Sequence, residues 1–329
     1  MASAQTKSST DLFETASSQL HKARDEIAKT IIGQDEIIDQ TLIGLAAGGH
    51  VLLVGVPGLA KTLLVETTAQ VLGLNSARVQ CTPDLMPTDI IGSEVLEENA
   101  KGKRSFRFIE GPIFTQFFMA DEINRASPRT QSALLQAMQE KEVSVSGQAQ
   151  KLPEPCHVLA TQNPLEQEGT YPLPEAQLDR FLMQVDVNYP DEQAERDIVV
   201  QTTSNRDYTP QAAMTSKELM DIQHFVRDMP VGDSVVDMIL ALVRSLRPGD
   251  DASDEINEYV SWAPGPRAAQ ALMLAVRARA VLEKRSAPLA EDVFALSMPI
   301  LRHRMALNFK ARSQGLTLDE LVTETLEAL

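Results

Sequence analysis

The sequence predicts an α/β protein in which a core with a parallel sheet between helices precedes an all-α second domain. Short apolar runs, which suit strands buried on both faces, alternate with stretches of helical periodicity up to about residue 190. Beyond Tyr189-Pro190-Asp191 the apolar runs stop while helical periodicity continues. The chain of 329 residues is also long enough for about two domains.

Composition narrows the class of protein. A hydrophobic content of 43% and a charged content of 23% are typical of a globular protein. The net charge of -16 disfavours nonspecific attraction to nucleic acid or to an anionic membrane, and no run is long enough to span a bilayer. Cys81 and Cys156 are too few for a disulfide framework. We therefore expect a soluble cytoplasmic protein with a flexible N-terminus over residues 1–14.

Two amphipathic helices are predicted before the first strand. Apolar residues recur at helical spacing over residues 12–29 and again over residues 35–47. The pair Gly48-Gly49 then ends the second helix.

The stretch from residue 51 to residue 62 indicates a buried strand, a glycine turn and the start of a helix, which together predict phosphate binding. Gly55 and Gly58 allow the backbone to turn tightly, and the N-terminus of the following helix directs N–H groups and a positive dipole end at an anion. Lys61 would then reach the β- and γ-phosphates of a nucleotide, and the Thr62 hydroxyl would bind a magnesium ion.

One position departs from the pattern G-x-x-x-x-G-K-[ST]. Ala60 stands in place of the second glycine, which we interpret as a mild change at a residue about to become helical. The alternative is a strand and turn of an ordinary α/β domain. The residues predicted to contact nucleotide here are Gly55, Val56, Pro57, Gly58, Leu59, Ala60, Lys61, Thr62 and Leu63.

A short strand at residues 77–81 is followed by a second buried strand, beginning at Phe117, which ends in two acids. A carboxylate at the carboxyl end of a strand beside a phosphate loop can hold magnesium, and the next one can orient an attacking water. We assign Asp121 to the metal and Glu122 to the water. The alternative is that both acids begin a helix, but Ser127 and Pro128 mark a helix start after them.

Three further polar residues are candidates for the site. Asn163 ends a third apolar strand at residues 157–163 and could position water or contact the γ-phosphate, or simply form an Asn-Pro turn. Arg180 follows a short helix and could reach a phosphate bound to a neighbouring subunit, or form a surface ion pair. Arg267 opens a helix, where a cation opposes the dipole unless an anion faces it; the alternative is an exposed arginine.

Two β-hairpins are predicted in the core, over residues 94–109 and 142–152. The first carries a basic loop at residues 99–104, which is either a solvated tip or a partner contact. The helices predicted for the second domain lie at residues 192–203, 215–227, 234–246, 266–284, 291–305 and 318–329. The histidines show no ligand spacing, so we expect no metal beyond a nucleotide-bound magnesium.

The order of these motifs resembles the AAA+ ATPases and, within them, the MoxR family, over roughly residues 20–310. The strings that carry the resemblance are Gly55-Val-Pro-Gly-Leu-Ala-Lys-Thr62, Thr82-Pro-Asp-Leu85, Asp121-Glu-Ile-Asn-Arg-Ala126, Leu134-Leu-Gln-Ala-Met-Gln-Glu140, Thr161-Gln-Asn-Pro164, Glu168-Gly-Thr-Tyr-Pro-Leu-Pro-Glu-Ala-Gln-Leu-Asp-Arg-Phe181 and Pro264-Gly-Pro-Arg267. One departure is Gly265, where many relatives have serine.

The resemblance implies roles for these residues. The implied roles are Walker A for residues 55–62, Walker B for Asp121 and Glu122, sensor 1 for Asn163, an arginine finger acting in trans for Arg180, and sensor 2 for Arg267. Arg125 or Arg129 is a further candidate to face a neighbour's nucleotide. Ile32, Gly33 and Gln34 lie where such proteins hold the adenine. Both hairpins project toward a central pore in this clade.

The resemblance also implies an activity and partners. Members of the family usually form hexameric rings and act with proteins that carry a von Willebrand factor A domain, in maturation, metal insertion or complex remodelling. We therefore expect an ATP hydrolase that uses ATP and Mg²⁺, with a flexible segment at 1–14, a nucleotide-binding core at 15–190 and a helical lid at 191–329. Alternatives are a nucleotide-gated scaffold and a magnesium-chelatase-like or nucleic-acid motor subunit, although the acidic charge argues against nucleic acid.

Overall fold

The computed structural model describes residues 9–98, 104–145, 147–166, 168–203, 208–250 and 252–329. Residues 1–8 of the predicted flexible N-terminus and residues 99–103 of the predicted basic loop lie outside the described residues. Residues 9–14 are helical, because the first helix begins at Ser9.

The core alternates helices and strands as the apolar pattern predicts. Its helices are α1 (Ser9–Ala28), α2 (Asp35–Ala46), α3 (Lys61–Val71), α4 (Pro87–Ile91), α5 (Pro128–Glu140) and α6 (Glu175–Leu178). Its strands are β1 (Val51–Val54), β2 (Ser76–Gln80), β3 (Gly92–Glu98), β4 (Arg104–Glu110), β5 (Phe117–Asp121), β6 (Glu142–Val145), β7 (Gln148–Lys151), β8 (His157–Gln162) and β9 (Met183–Asp186). The sequence did not predict β9.

Five of these strands form one parallel sheet in the order β2-β5-β8-β1-β9. Alternate residues of each strand face opposite sides of the sheet. Leu53 and Leu159 therefore pack with α1, α2, α3 and the second domain, whereas Leu52 and Val158 pack with α5 on the other side. Helices cover both faces of the central strands, which explains why β1 and most of β5 are apolar, whereas the edge strand β2 carries polar residues at alternate positions.

The predicted hairpins are confirmed as β3 with β4 and β6 with β7, both antiparallel. The first exposes an apolar cross-strand pair, Leu96 opposite Phe106, and carries the ion pairs Arg104–Glu98 and Arg107–Glu97. The start of α5 is also as predicted, because the Ser127 hydroxyl accepts the Thr130 N–H.

The second domain is mainly helical. Its helices are α7 (Glu192–Thr202), α8 (Ser216–Asp228), α9 (Asp233–Ser245), α10 (Asp254–Tyr259), α11 (Pro266–Leu282), α12 (Ala290–Leu301), α13 (Phe309–Gln314) and α14 (Leu318–Glu327). The prediction of an all-α domain was wrong at one place, since β10 (Val260–Trp262) pairs with β11 (Ala306–Leu307). This ladder is too short to give a periodic apolar pattern. Among the described helices, none has the length and apolar character needed to cross a membrane.

Candidate active site

The loop after β1 has the conformation of a phosphate cradle. Gly58 has φ +87°, a value that favours glycine. A side chain at Gly55 would lie 2.5 Å from the Val187 carbonyl oxygen, so the backbone needs glycine there as well. The Lys61 ammonium donates to the carbonyl oxygens of Gly55 and Val56, at 2.7 Å each. Burial lowers the pKa of Lys61, and the nearby acids oppose that shift.

The backbone at Ala60 contradicts our expectation of a mild change at a residue about to become helical. Ala60 precedes α3 with φ 57° and ψ 19°, in the left-handed region. A non-glycine residue in this region costs roughly 1–2 kcal/mol. The replacement of the second glycine is therefore a strained substitution rather than a mild one.

Asp121 and Glu122 lie together at the carboxyl end of β5. The Thr161 hydroxyl donates to Asp121 Oδ1 at 2.5 Å and accepts the backbone N–H of Glu122 at 2.8 Å. Arg78 donates to Asp121 Oδ2 at 2.6 Å. Glu122 has φ 54° and so leaves the strand direction immediately after Asp121. Thr161 thus fixes both acids from the neighbouring strand β8.

The Glu122 carboxylate faces polar groups of the same site. Its Oε2 accepts from Gln80 at 2.7 Å and from Arg125 at 3.0 Å, and this contact raises the pKa of Arg125. Asn163 is buried nearby, and its Oδ1 accepts the Leu165 N–H at 3.1 Å. Gln80 and Arg125 therefore orient the carboxylate that we assign to the water.

The phosphate loop, the two acids and Asn163 line one cleft of about 470 Å³ at the carboxyl ends of β1, β5 and β8. Its walls are Pro57, Gly58, Leu59, Ala60, Lys61, Thr62, Leu63, Arg78, Gln80, Asp121, Glu122, Thr161 and Asn163. The Thr62 hydroxyl and the Asp121 carboxylate are oxygen donors of the kind that Mg²⁺ prefers, with its remaining ligands supplied by phosphate and water. The residues present thus fit a nucleotide-bound magnesium.

Two of the predicted adenine-binding residues line a second cavity, of about 320 Å³. Gly33 and Gln34 meet Asp186 and Asn188 there, at the carboxyl end of β9, and Arg302 of the second domain pairs with Asp186. The cavity is at the same edge of the sheet as the phosphate loop. Ile32 is not among its lining residues.

Arg180 and Arg267 are absent from the cleft lining and share a different cavity with Asp179 and Arg304. We name these four residues the arginine surface. Asp179 accepts from Arg304 at 2.8 Å and from Arg267 at 3.5 Å, while Arg180 donates to the Leu135 carbonyl at 2.6 Å. Arg304 is only 2% exposed, and its burial lowers its pKa against the opposing effect of Asp179.

The arginine surface lies near the amino ends of the parallel strands, whereas the cleft lies at their carboxyl ends. Arg180 precedes β9, and Met183 at the start of β9 pairs with Val51 at the start of β1. The phosphate loop leaves β1 at its other end, after Val54. Four residues of strand measure about 13 Å, so Arg180 lies at the other end of the strands from the cleft of its own chain. Arg129, the other arginine candidate, is exposed near the start of α5.

The sequence reasoning missed Arg78, Gln80 and Thr161. Arg78 and Gln80 occupy alternate positions of β2 and so share a face of an edge strand. Polar residues at alternate positions of a predicted strand were the available signal. Arg78 and Gln80 reach the acids because β2 pairs with β5. Residues close together in the sequence do not encode this pairing.

The parallel sheet carries a phosphate loop after β1 and paired acids at the end of β5, and a helical second domain follows it. Together these features define a phosphate-loop ATPase of the AAA type. Comparison with known protein families agrees. Residues 50–183 match the ATPase family associated with various cellular activities (AAA), and residues 254–325 match the AAA lid domain.

Relatives identify the family more closely. The chain is 38% identical to Chaperone MoxR1 of Mycobacterium tuberculosis over 94% of its own length and 81% of that protein, and 34% identical to Protein MoxR of Methylorubrum extorquens over 86% of each chain. A crystal structure from Cytophaga hutchinsonii superposes with a TM-score of 0.89 at 37% identity, covering 98% of this chain and 97% of the other. The chain belongs to the MoxR family of AAA+ ATPases, which confirms the family and the ATPase activity predicted from its motifs.

Proposed function

We propose that this ATPase works as a ring of identical subunits, most simply a hexamer, in which each active site combines the cleft of one chain with the arginine surface of the next. One observation carries the proposal. Arg180 and Arg267 lie near the amino ends of the strands, whereas the phosphate loop lies at their carboxyl ends. An arginine finger stabilises charge on the transferred phosphoryl group only when it reaches that group. A neighbouring chain can supply the arginine finger, because a head-to-tail contact brings the amino ends of the strands of one chain to the carboxyl ends of the strands of the next.

We propose the following roles within a site. The phosphate loop would bind the β- and γ-phosphates through its N–H groups and Lys61. Glu122 would orient the attacking water, assisted by Asn163, and the neighbour's Arg180 and Arg267 would stabilise the developing negative charge. Magnesium, held by Thr62 and Asp121 with the nucleotide, would supply further neutralisation of phosphate charge. Gly33 and Gln34 would contact the adenine.

The output we propose is remodelling of a client protein in the cytoplasm: its maturation, the insertion of a metal, or the rearrangement of a complex. The relative from Mycobacterium tuberculosis is named a chaperone, which supports a protein client. A separate protein with a von Willebrand factor A domain is the proposed partner. The second domain contributes Arg267 and Arg304 to the arginine surface, so its movement would couple a site to the neighbouring chain.

The deciding experiment is ATP turnover as a function of protein concentration, with particle mass measured on the same samples. Turnover per subunit should rise with concentration as the ring assembles. Glu122→Gln subunits and Arg180→Ala subunits should each be inactive alone, because each lacks one half of a site. A mixture should regain turnover, since the Arg180→Ala cleft meets the intact arginine surface of a Glu122→Gln neighbour.

Different results would favour other functions. Turnover per subunit that is independent of dilution, with no recovery in the mixture, would remove Arg180 from the trans role. Tight ATP binding and assembly without turnover would favour the nucleotide-gated scaffold. Stimulation by DNA at physiological salt would favour the nucleic-acid motor, against the net charge of -16.

A further inference from the structure

Arg78 is bound to the acid that we assign to magnesium. Its Nη2 and Nε donate to Asp121 Oδ2 at 2.6 and 3.2 Å. The other oxygen, Oδ1, accepts the Thr161 hydroxyl at 2.5 Å. Both carboxylate oxygens therefore have donors, and one of those donors is a permanent cation.

The Arg78 side chain can leave Asp121 without unfolding anything. It is 45% exposed and lines the cleft, whereas the Asp121 side chain is 10% exposed. Arg78 lies on the edge strand β2, and its other side-chain contact is a 3.2 Å hydrogen bond to Gln80. Water can solvate the guanidinium when it is released, because Arg78 is half-exposed, and the Thr161 hydroxyl remains as a donor to Asp121.

The β2–β5 pairing does not require this ion pair. Backbone hydrogen bonds join the strands along their full length, from Ser76 opposite Phe117 to Gln80 opposite Asp121. The chain contains a second pair of the same chemistry, since Arg24 donates to Asp39 through Nε at 2.5 Å and Nη2 at 3.1 Å. That pair joins α1 to α2 outside the cleft, so it is a matched reference for a purely structural arginine–aspartate contact.

We propose that Arg78 competes with Mg²⁺ for Asp121 and thereby sets the magnesium requirement of nucleotide binding. The proposal rests on the metal role of Asp121 in the proposed function. Oδ2 already accepts two hydrogen bonds from the guanidinium, which occupy both of its lone pairs, and the like charges of a guanidinium and a divalent cation repel at close range. Arg78 thus weakens magnesium binding at the cleft and makes occupancy depend on the phosphates that arrive with the metal.

The test measures binding of a fluorescent ADP analogue in EDTA and in saturating Mg²⁺, for the natural chain and for Arg78→Gln. We expect Arg78→Gln to tighten binding in Mg²⁺ by about three- to tenfold and to change binding in EDTA by less than about twofold. Arg78→Lys, which keeps the charge, should resemble the natural chain. Arg24→Gln should change neither value, and thermal melts confirm folding of every variant.

Two outcomes overturn the proposal directly. Unchanged binding in Mg²⁺ would make Arg78 a structural contact only, and weaker binding in EDTA would make it a phosphate ligand. Asp121→Asn separates this proposal from the function beneath it. Magnesium dependence that survives in Asp121→Asn refutes the metal role of Asp121 itself. Loss of that dependence, with no gain from Arg78→Gln in the natural background, refutes the competition alone.

Discussion

The cleft and the arginine surface differ in how the chain builds them. The cleft is made of core residues at the ends of adjacent strands, fixed by backbone conformation and by the Thr161 hydroxyl. The arginine surface joins two domains, because Asp179 of the core accepts from Arg267 and Arg304 of the helical lid. The groups proposed to bind phosphate and magnesium therefore belong to the core alone, whereas the groups proposed to face a neighbour depend on how the lid is docked.

Removing Arg180 should lower turnover more than any other substitution proposed below. Arg180→Ala should lower turnover by about 10³- to 10⁵-fold, because an arginine finger contributes that much to phosphoryl transfer. Nucleotide binding should be unchanged, since the residue is at the far edge of the sheet. Turnover and binding of a fluorescent nucleotide measure the two separately. Arg129→Ala is the matched control, and a comparable loss there would assign the finger to Arg129 instead.

A second substitution tests whether turnover depends on the contact between the core and the lid. Asp179→Asn removes the acceptor charge shared by Arg267 and Arg304, and we expect turnover to fall by about 10- to 100-fold with nucleotide affinity retained. Mixing with Glu122→Gln subunits should restore activity, because the Asp179→Asn cleft is intact. Weakened nucleotide binding in Asp179→Asn would contradict the independence of the two regions.

Low pH should destabilise the chain through two histidines near the arginine surface. His50 lines the cavity of the arginine surface and His157 packs beside it; burial lowers their pKa values to about 3 and about 4. The unfolded chain binds these protons near pH 6.5, so stability is present above that pH and is lost as the pH falls toward the folded values. We expect a loss of about 1 kcal/mol per histidine at pH 5.5.

Urea unfolding at pH 7.5 and at pH 5.5 measures this loss. His50→Asn should reduce it, because the amide oxygen can accept the Val158 N–H as Nδ1 of His50 does, without titrating. His224→Asn, at an exposed position, is the control for replacing a histidine outside this cavity. Equal pH dependence in all three chains would exclude His50 as its source.

The smallest expected effect is within the cleft. Ala60→Gly should raise the free energy of unfolding by about 1 kcal/mol, because glycine has no penalty at φ 57°. The gain is partly offset by the greater freedom of glycine in the unfolded chain. Chemical denaturation of both chains checks the value. A decrease in stability would mean that the Ala60 methyl group makes a packing contribution larger than its strain.

Local features of the site could be predicted from the sequence. Residues 55–62, Asp121, Glu122 and Asn163 each follow an apolar strand, and parallel strands bring their carboxyl ends to one edge. The predicted strands, both hairpins and the start of α5 were likewise readable because each depends on residues close together in the chain.

Long-range features could not be predicted. The strand β9 has only four residues, Met183-Gln-Val-Asp186, and it is defined by pairing with β1, which is remote in sequence. The same pairing separates Arg180 from the cleft, which the family resemblance implied through a role in trans but which neighbouring residues do not encode. The contact of Arg78 with Asp121 depends on the adjacency of β2 and β5, and the placement of Arg267 beside Asp179 depends on lid docking. None of these arrangements leaves a periodic signal in the sequence.

If each site is shared between two chains as proposed, the number of complete sites depends on whether the subunits form an open row or a closed ring. An open row of subunits leaves an unmatched cleft at one end and an unmatched arginine surface at the other, so it always holds one complete site fewer than it has members. Closing the row removes both ends at once and adds a site without adding a chain. A subunit lacking only Arg180 could therefore extend a row through its cleft, yet every ring that contains it would hold one silent site.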